Sequence, residues 1–138
     1  MTTLLISAPS AMAASVDPWG FAQCGAWKTV DAPFNGPDYQ IQSCIQEGFG
    51  DLVFYDRAII KIKNPNAVPI FVEKATAEIL GESPAQWNQQ LVSANSTLTL
   101  ESYWDPDWTY GPERARATVY NYFGNPQTTV APVVTQTY

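Results

Sequence analysis

Four carboxylates, Glu101, Asp105, Asp107 and Glu113, bracket the run YWDPDWTYGP at residues 103–112, where two aspartates stand among four aromatic side chains. Two carboxylates facing each other across a cleft are the machinery of glycoside hydrolysis. Asp105, Asp107 and nearby carbonyls are also the hard oxygen ligands that calcium takes. Calcium needs roughly six to eight oxygens, however, and no EF-hand spacing is present. Aspartate on either side of a proline is ordinary turn chemistry. No metal and no cofactor are therefore expected. A third use of the run is recognition: Trp104, Trp108 and Tyr110 offer flat faces on which sugar rings stack or protein partners anchor, with Asp105 and Asp107 to bond hydroxyls.

The rest of the catalytic inventory is thin. The chain contains no histidine, which removes Ser-His-Asp and Cys-His arrangements and the usual base near neutral pH. GFGDL (48–52) lacks the lysine and following helix of a phosphate loop. With so short a chain there is little room for a deep cleft, and a non-enzymatic protein is expected. Net charge is -6 with seven Lys and Arg, so no basic face is available for nucleic acid. Anionic membranes are disfavoured for the same reason, and no segment is long and apolar enough to insert.

Cys24 and Cys44 are the two cysteines. Without histidine they cannot complete a zinc site, and as a disulfide they would close a loop worth about 3 kcal/mol. The first residues end in Ala11-Met12-Ala13, the small-residue pattern of a signal-peptidase site behind a short apolar core, although the basic n-region is missing. Residues 1–13 are accordingly expected to be a signal-peptide remnant and 14–138 a single domain. Secretion and a disulfide support each other.

Residues 14–38 are broken by proline and glycine and read as an irregular N-terminal arm. Tyr39 to Ile45 reads as a short strand that Gly48 and Gly50 interrupt. Ile60 and Ile62 alternate with Lys61 and Lys63, the period of a half-buried strand. Asn64-Pro65-Asn66 punctuates it, and Val68 to Ile79 resumes with Phe71, Ala75, Ala77 and Ile79 on one side, as two strands joined by a tight or bulged turn. GESPAQWNQQ (81–90) carries Ser83 as an N-cap and Pro84 behind it, the signature of a short helical turn anchored by Trp87. Ser96 to Trp104 alternates again, with Trp104 on the inward face beside Leu98 and Leu100. Ala115, Ala117, Val119 and Phe123 share one face of the next run. Tyr120 and Tyr122 lie on the other with Arg114 and Arg116 as a polar-aromatic strip. A last strand follows from Thr128, at a sheet edge because of Pro132.

Short strands separated by turns, with almost no helix, predict an all-β protein: an antiparallel, immunoglobulin-like β-sandwich with one disulfide, or failing that a small barrel. The run RAIIKIKNPNAVPIFV (57–72) resembles the strand-NPN-strand of water-stress-type, late-embryogenesis-abundant β-sandwich domains. The resemblance implies the fold and carries no function. The expected role is a secreted binding protein, an adaptor or subunit of an extracellular assembly, with a protein partner met by the arm, an edge strand or the aromatic loop. A carbohydrate-binding module on Trp108 and Tyr110, and a secreted protease inhibitor, are the alternatives. Asn95-Ser96-Thr97 is a glycosylation sequon.

Overall fold

The computed structural model describes residues 15–107 and 111–135. Every ladder in it is antiparallel, and the strands form two sheets with a 3-10 turn at Pro33–Asn35. The first sheet is built on two twelve-residue strands, β4 (Tyr39–Gly50) and β5 (Val53–Asn64), paired along their whole length. Three short pieces, β1 (Asp17–Pro18), β2 (Gln23–Cys24) and β3 (Lys28–Val30), pair with the outer edge of β4. β8 (Ser96–Glu101) and β9 (Asp105–Pro106) pair with β5. The second sheet runs β11 (Gln127–Val130), β10 (Ala115–Tyr120), β6 (Ile70–Ile79), β7 (Ala85–Val92). The two sheets share no ladder among the described residues, so the chain is sandwich-like and not a closed barrel.

The core lies between them. Ile41, Ile45, Ala58, Ile60 and Ile62 from the first sheet meet Val72, Ala75, Ala77, Ala115, Ala117 and Val119 from the second. Isoleucine on one side against alanine on the other lets the sheets approach closely, and β-branched side chains suit the pleated surface. The alternation expected at Ile60, Lys61, Ile62 and Lys63 is present, with both isoleucines fully buried. The Cys24–Cys44 disulfide is formed. It joins directly opposed residues of β2 and β4, within one sheet.

Several expectations are corrected. The arm is irregular but not free: residues 17–30 follow β4 as three short strands. Gly48 and Gly50 do not end β4. At Gly48 the missing side chain makes room for the chain crossing above it, since a Cβ there would stand 2.7 Å from Val16 Cγ1 and 2.8 Å from the Trp104 ring. Asn64-Pro65-Asn66 does not close a hairpin, because β5 and β6 lie in different sheets. The turn is instead a corner held by the buried Asn64 amide. Its Nδ2 donates to the carbonyls of Val68 (2.8 Å), Val92 (3.1 Å) and Ser93 (3.1 Å), and its Oδ1 accepts from the Asn66 amide (2.9 Å).

The 81–90 segment is not helical. Ala85–Val92 is strand β7, an edge of the second sheet. The Ser-Pro start is a local preference, whereas pairing with β6 satisfies the backbone groups on one side of Ala85–Val92. Phe71 is half-exposed, and the inward set is Ile70 and Val72, then Ala75, Ala77 and Ile79. The side that faces inward thus changes between Val72 and Ala75. On β7 it changes at the same level, between Trp87 and Gln90. The ladder keeps its register but skips the Glu73/Gln89 position, where Gln89 has φ 52°.

Candidate functional site

The sequence-derived candidates separate into three places. Trp108 and Tyr110 lie outside the described residues. Glu101 and Trp104 sit on the outer face of the first sheet, around Arg57. The Arg57 guanidinium lies 4.2 Å from the Trp104 ring centroid, meets Glu101 at 3.0 Å and donates to Gln46 Oε1 at 2.7 Å. This corrects the inward assignment of Trp104, and the reason is a slip in register. Leu100 stands opposite Ile60, but Asp105 stands opposite Asp56, so the chain from 100 to 105 carries one residue more than β5 does. One extra residue reverses every side chain beyond it. Trp104 turns out over Gly48, and Asp105 and Asp107 turn toward the interior.

There they meet a carboxylate outside the sequence-derived candidates, Asp56. Asp56 is 3% exposed and Asp107 6%. With Glu113, which precedes β10 in the second sheet, they bring carboxylate oxygens within 4.8 Å of one another at one end of the sandwich. Burial is the main force on Asp56. It pushes the carboxyl up to about 8, helped by a hydrogen bond to Asp107 and by the charges of Asp107, Glu113 and Glu47. The protonated Asp56 therefore donates to Asp107. Burial also raises Glu47, Asp105 and Glu113, with Asp107 adding its charge at Glu47 and Glu113. The signal for Asp56 was present in the sequence: it shares even parity with Ala58, Ile60 and Ile62.

This group can store a proton at neutral pH, and its three oxygen donors are of the hard kind that a divalent cation takes, about half of a calcium shell. The adjoining pocket, lined by Asp56, Glu82, Asp105, Asp107 and Glu113, is about 180 Å3. Ligand sites usually begin near 300 Å3, so this pocket is small for a substrate.

The opposite end has a different character. Tyr39 begins β4 there, and its hydroxyl donates to Asn121 Oδ1 at 2.9 Å. Burial raises the Tyr39 phenol to about 12. Phe34 and Phe123 project from two turns with 82% and 87% exposure and pack edge to face, centroids 5.7 Å apart. Both have positive φ, 58° and 59°. Phe123 was expected on the inward face of β10, but that strand ends at Tyr120 and the turn carries it out. Tyr122 is half-exposed beside it. Tyr120 is on the outer face under Lys74, whose Nζ is 4.0 Å from its ring centroid. Of the expected polar-aromatic strip, Arg116 and Tyr120 share the outer face of β10, whereas Tyr122 lies in the turn that follows it. Arg116 pairs there with Glu78.

Comparison with known proteins returns nothing: no family model, no curated protein and no solved structure matches this chain.

Proposed function

We propose that the protein is a secreted, non-enzymatic binding domain, an immunoglobulin-like β-sandwich that joins an extracellular protein assembly by accepting a partner's extended strand along β7. The observation that carries this reading is the make-up of that edge. β7 is eight residues long, AQWNQQLV, with no charge and no proline. Natural edge strands are usually shielded by lysine, proline, a covering loop or short length. Gln89, with its positive φ, is the one irregularity on β7. An exposed edge of this kind takes up an added strand through main-chain hydrogen bonds, with alternate side chains setting specificity.

The competing contact surfaces are less open. Residues 17–30 already pair with β4. The outer side of β11 is covered: Lys28 Nζ donates to the Thr128 carbonyl at 3.1 Å, and Gly25 packs so closely on the Val130 carbonyl that a Cβ would collide with it. β8 is shorter and ends at Glu101, which is paired with Arg57. Secretion is supported by the disulfide, which persists in oxidising compartments, and by the exposed position of Asn95, the sequon residue, in the turn between β7 and β8.

The test is the native mass of the protein purified by a C-terminal tag from its own host. It is compared with a variant carrying Gln86→Lys and Leu91→Lys, both exposed positions of β7. The wild type should carry a stoichiometric companion or form a defined oligomer. The variant should be monomeric with an unchanged melting temperature. A monomeric wild type, or a variant that keeps its companion, overturns the proposal.

A further inference from the structure

Two grooves share a wall at the aromatic end of the sandwich. One, of about 370 Å3, lies on the outer face of the second sheet between Glu73, Lys74, Asn88, Gln89 and Tyr120. The other, of about 260 Å3, lies among Pro33, Pro37, Tyr39, Pro69 and Phe71. Glu73, Asn121 and Tyr122 line both.

The local backbone builds the polar floor of the first groove. In regular strands, neighbours in sequence point to opposite faces. Here the facing changes at Glu73/Gln89 in both strands, so Glu73 and Lys74 on β6, and Asn88 and Gln89 on β7, all fall on the outer side. Four polar side chains are thereby gathered where an ordinary ladder would supply two. Such irregularities recur where a strand must re-aim side chains at a site. Left-handed backbone at a non-glycine residue is costly and concentrates at functional positions. Gln89, Phe34, Asn35 and Phe123 have it at this end, as Asp51 and Leu52 do in the β4–β5 turn at the other.

The chemistry gathered there selects among ligands. Tyr122 and Phe123 lie with ring centroids 6.2 Å apart, and Phe34 packs on Phe123. Exposed ring faces stack on the C–H faces of sugars as they do on other flat apolar surfaces. The amides of Asn88, Gln89 and Asn121 both donate and accept, as do hydroxyls, and the Tyr39 hydroxyl fixes the Asn121 amide. Charge in the groove is balanced, Glu73 against Lys74, and Lys74 is held over the Tyr120 ring. An anionic ligand would find no unopposed cation among these residues. Few polar groups set around aromatic walls is the usual build of a small-molecule site.

We propose that this double groove binds a neutral oligosaccharide, with Tyr122, which lines both grooves and has Phe123 beside it, stacking on a sugar ring and Asn88, Gln89, Asn121 and Glu73 bonding the hydroxyls. The site shares Asn88 and Gln89 with β7 but uses their outward side chains and not the main-chain groups of the edge, so it does not depend on the strand contact.

The experiment titrates the full chain with soluble oligomers of glucose, mannose, xylose and N-acetylglucosamine, with a heparin oligosaccharide as the anionic control. Binding is followed by calorimetry and by the tyrosine ring resonances. At least one neutral series should bind and the control should not. Tyr122→Ala and Gln89→Gly should each weaken that binding by about tenfold or more, the scale of a lost anchor residue. Gln89→Gly is the informative variant, because it removes the amide while relieving the positive φ. Its melting temperature should hold or rise as affinity falls. No binding of any neutral series at millimolar concentration, preference for the heparin oligosaccharide, or undiminished binding in either variant overturns the proposal.

Discussion

Asp105 of β9 stands directly opposite Asp56, one residue out of step with the pair that Leu100 of β8 makes with Ile60 of the same partner strand, β5. From this slip follow both the outward turn of Trp104 onto Arg57 and the gathering of Asp56, Asp107 and Glu113 inside one end of the sandwich. A proton held between Asp56 and Asp107 makes that arrangement compatible with burial, since two adjacent carboxylates cannot both stay charged there.

Stability should therefore depend on pH in a definite sense. Asp56 titrates at about 8 when folded and near 3.9 when unfolded. Between those values the folded chain keeps a proton that the unfolded chain has lost, so stability falls as pH rises from about 4 to about 8. The raised Glu47, Asp105 and Glu113 act in the same direction. Asp56→Asn keeps a donor for Asp107 and removes the ionisation. At pH 8.5 it should stabilise the fold by about 1–2 kcal/mol, or roughly 3–8 °C in melting temperature, with little change at pH 4. Melting curves of wild type and variant that stay parallel across this range would refute the shared proton.

Gly48→Ala should cost about 1–3 kcal/mol, the usual range for overpacking a filled site. The added methyl would meet both Val16 and the Trp104 ring. Near-ultraviolet circular dichroism should change with it, because the indole is displaced from Arg57. A variant as stable as the wild type, with an unchanged aromatic spectrum, would mean that Trp104 does not sit over Gly48.

Replacing both cysteines by alanine should lower stability by about 3 kcal/mol in the chain-entropy model. The loss should be local in character, since the bridge pins residues 17–30 to β4. Hydrogen exchange of Thr29 and Val30 should quicken more than that of Ala117 and Val119 in the second sheet. Equal acceleration everywhere would show that the bridge staples the whole fold and not one edge.

How much of this was legible follows from where the determinants lie. The period of two at Ile60, Lys61, Ile62 and Lys63 is written in consecutive residues, and the strand was readable there. Asp56 was equally readable, four residues before Ile60 on the same parity. The orientation of Trp104 was not, because the slip at 100–105 is defined only against β5, some forty residues earlier in the chain. β7 is masked in the sequence because Ser83-Pro84 is a local helix start, while the competing partner, β6, is recognised only through pairing. The aromatic end was hidden for the same reason: Phe34 and Phe123 belong to separate turns that only the fold brings together.

Asn64→Ala should destabilise by about 2–3 kcal/mol, at the upper end for lost buried hydrogen bonds. The buried amide serves three carbonyls and the Asn66 amide at the corner between the sheets. Chemical denaturation gives the value directly. A cost below about 0.5 kcal/mol, typical of a surface change, would mean that the corner is held by other contacts.

Hydrogen exchange on the complex isolated from the host, compared with the same chain freed of its companion, decides whether β7 accepts a partner's strand. New protection of the amides within Ala85–Val92 is expected, with the β4 and β10 amides unaffected. Protection confined to another surface, with Ala85–Val92 exchanging alike in both samples, would contradict it.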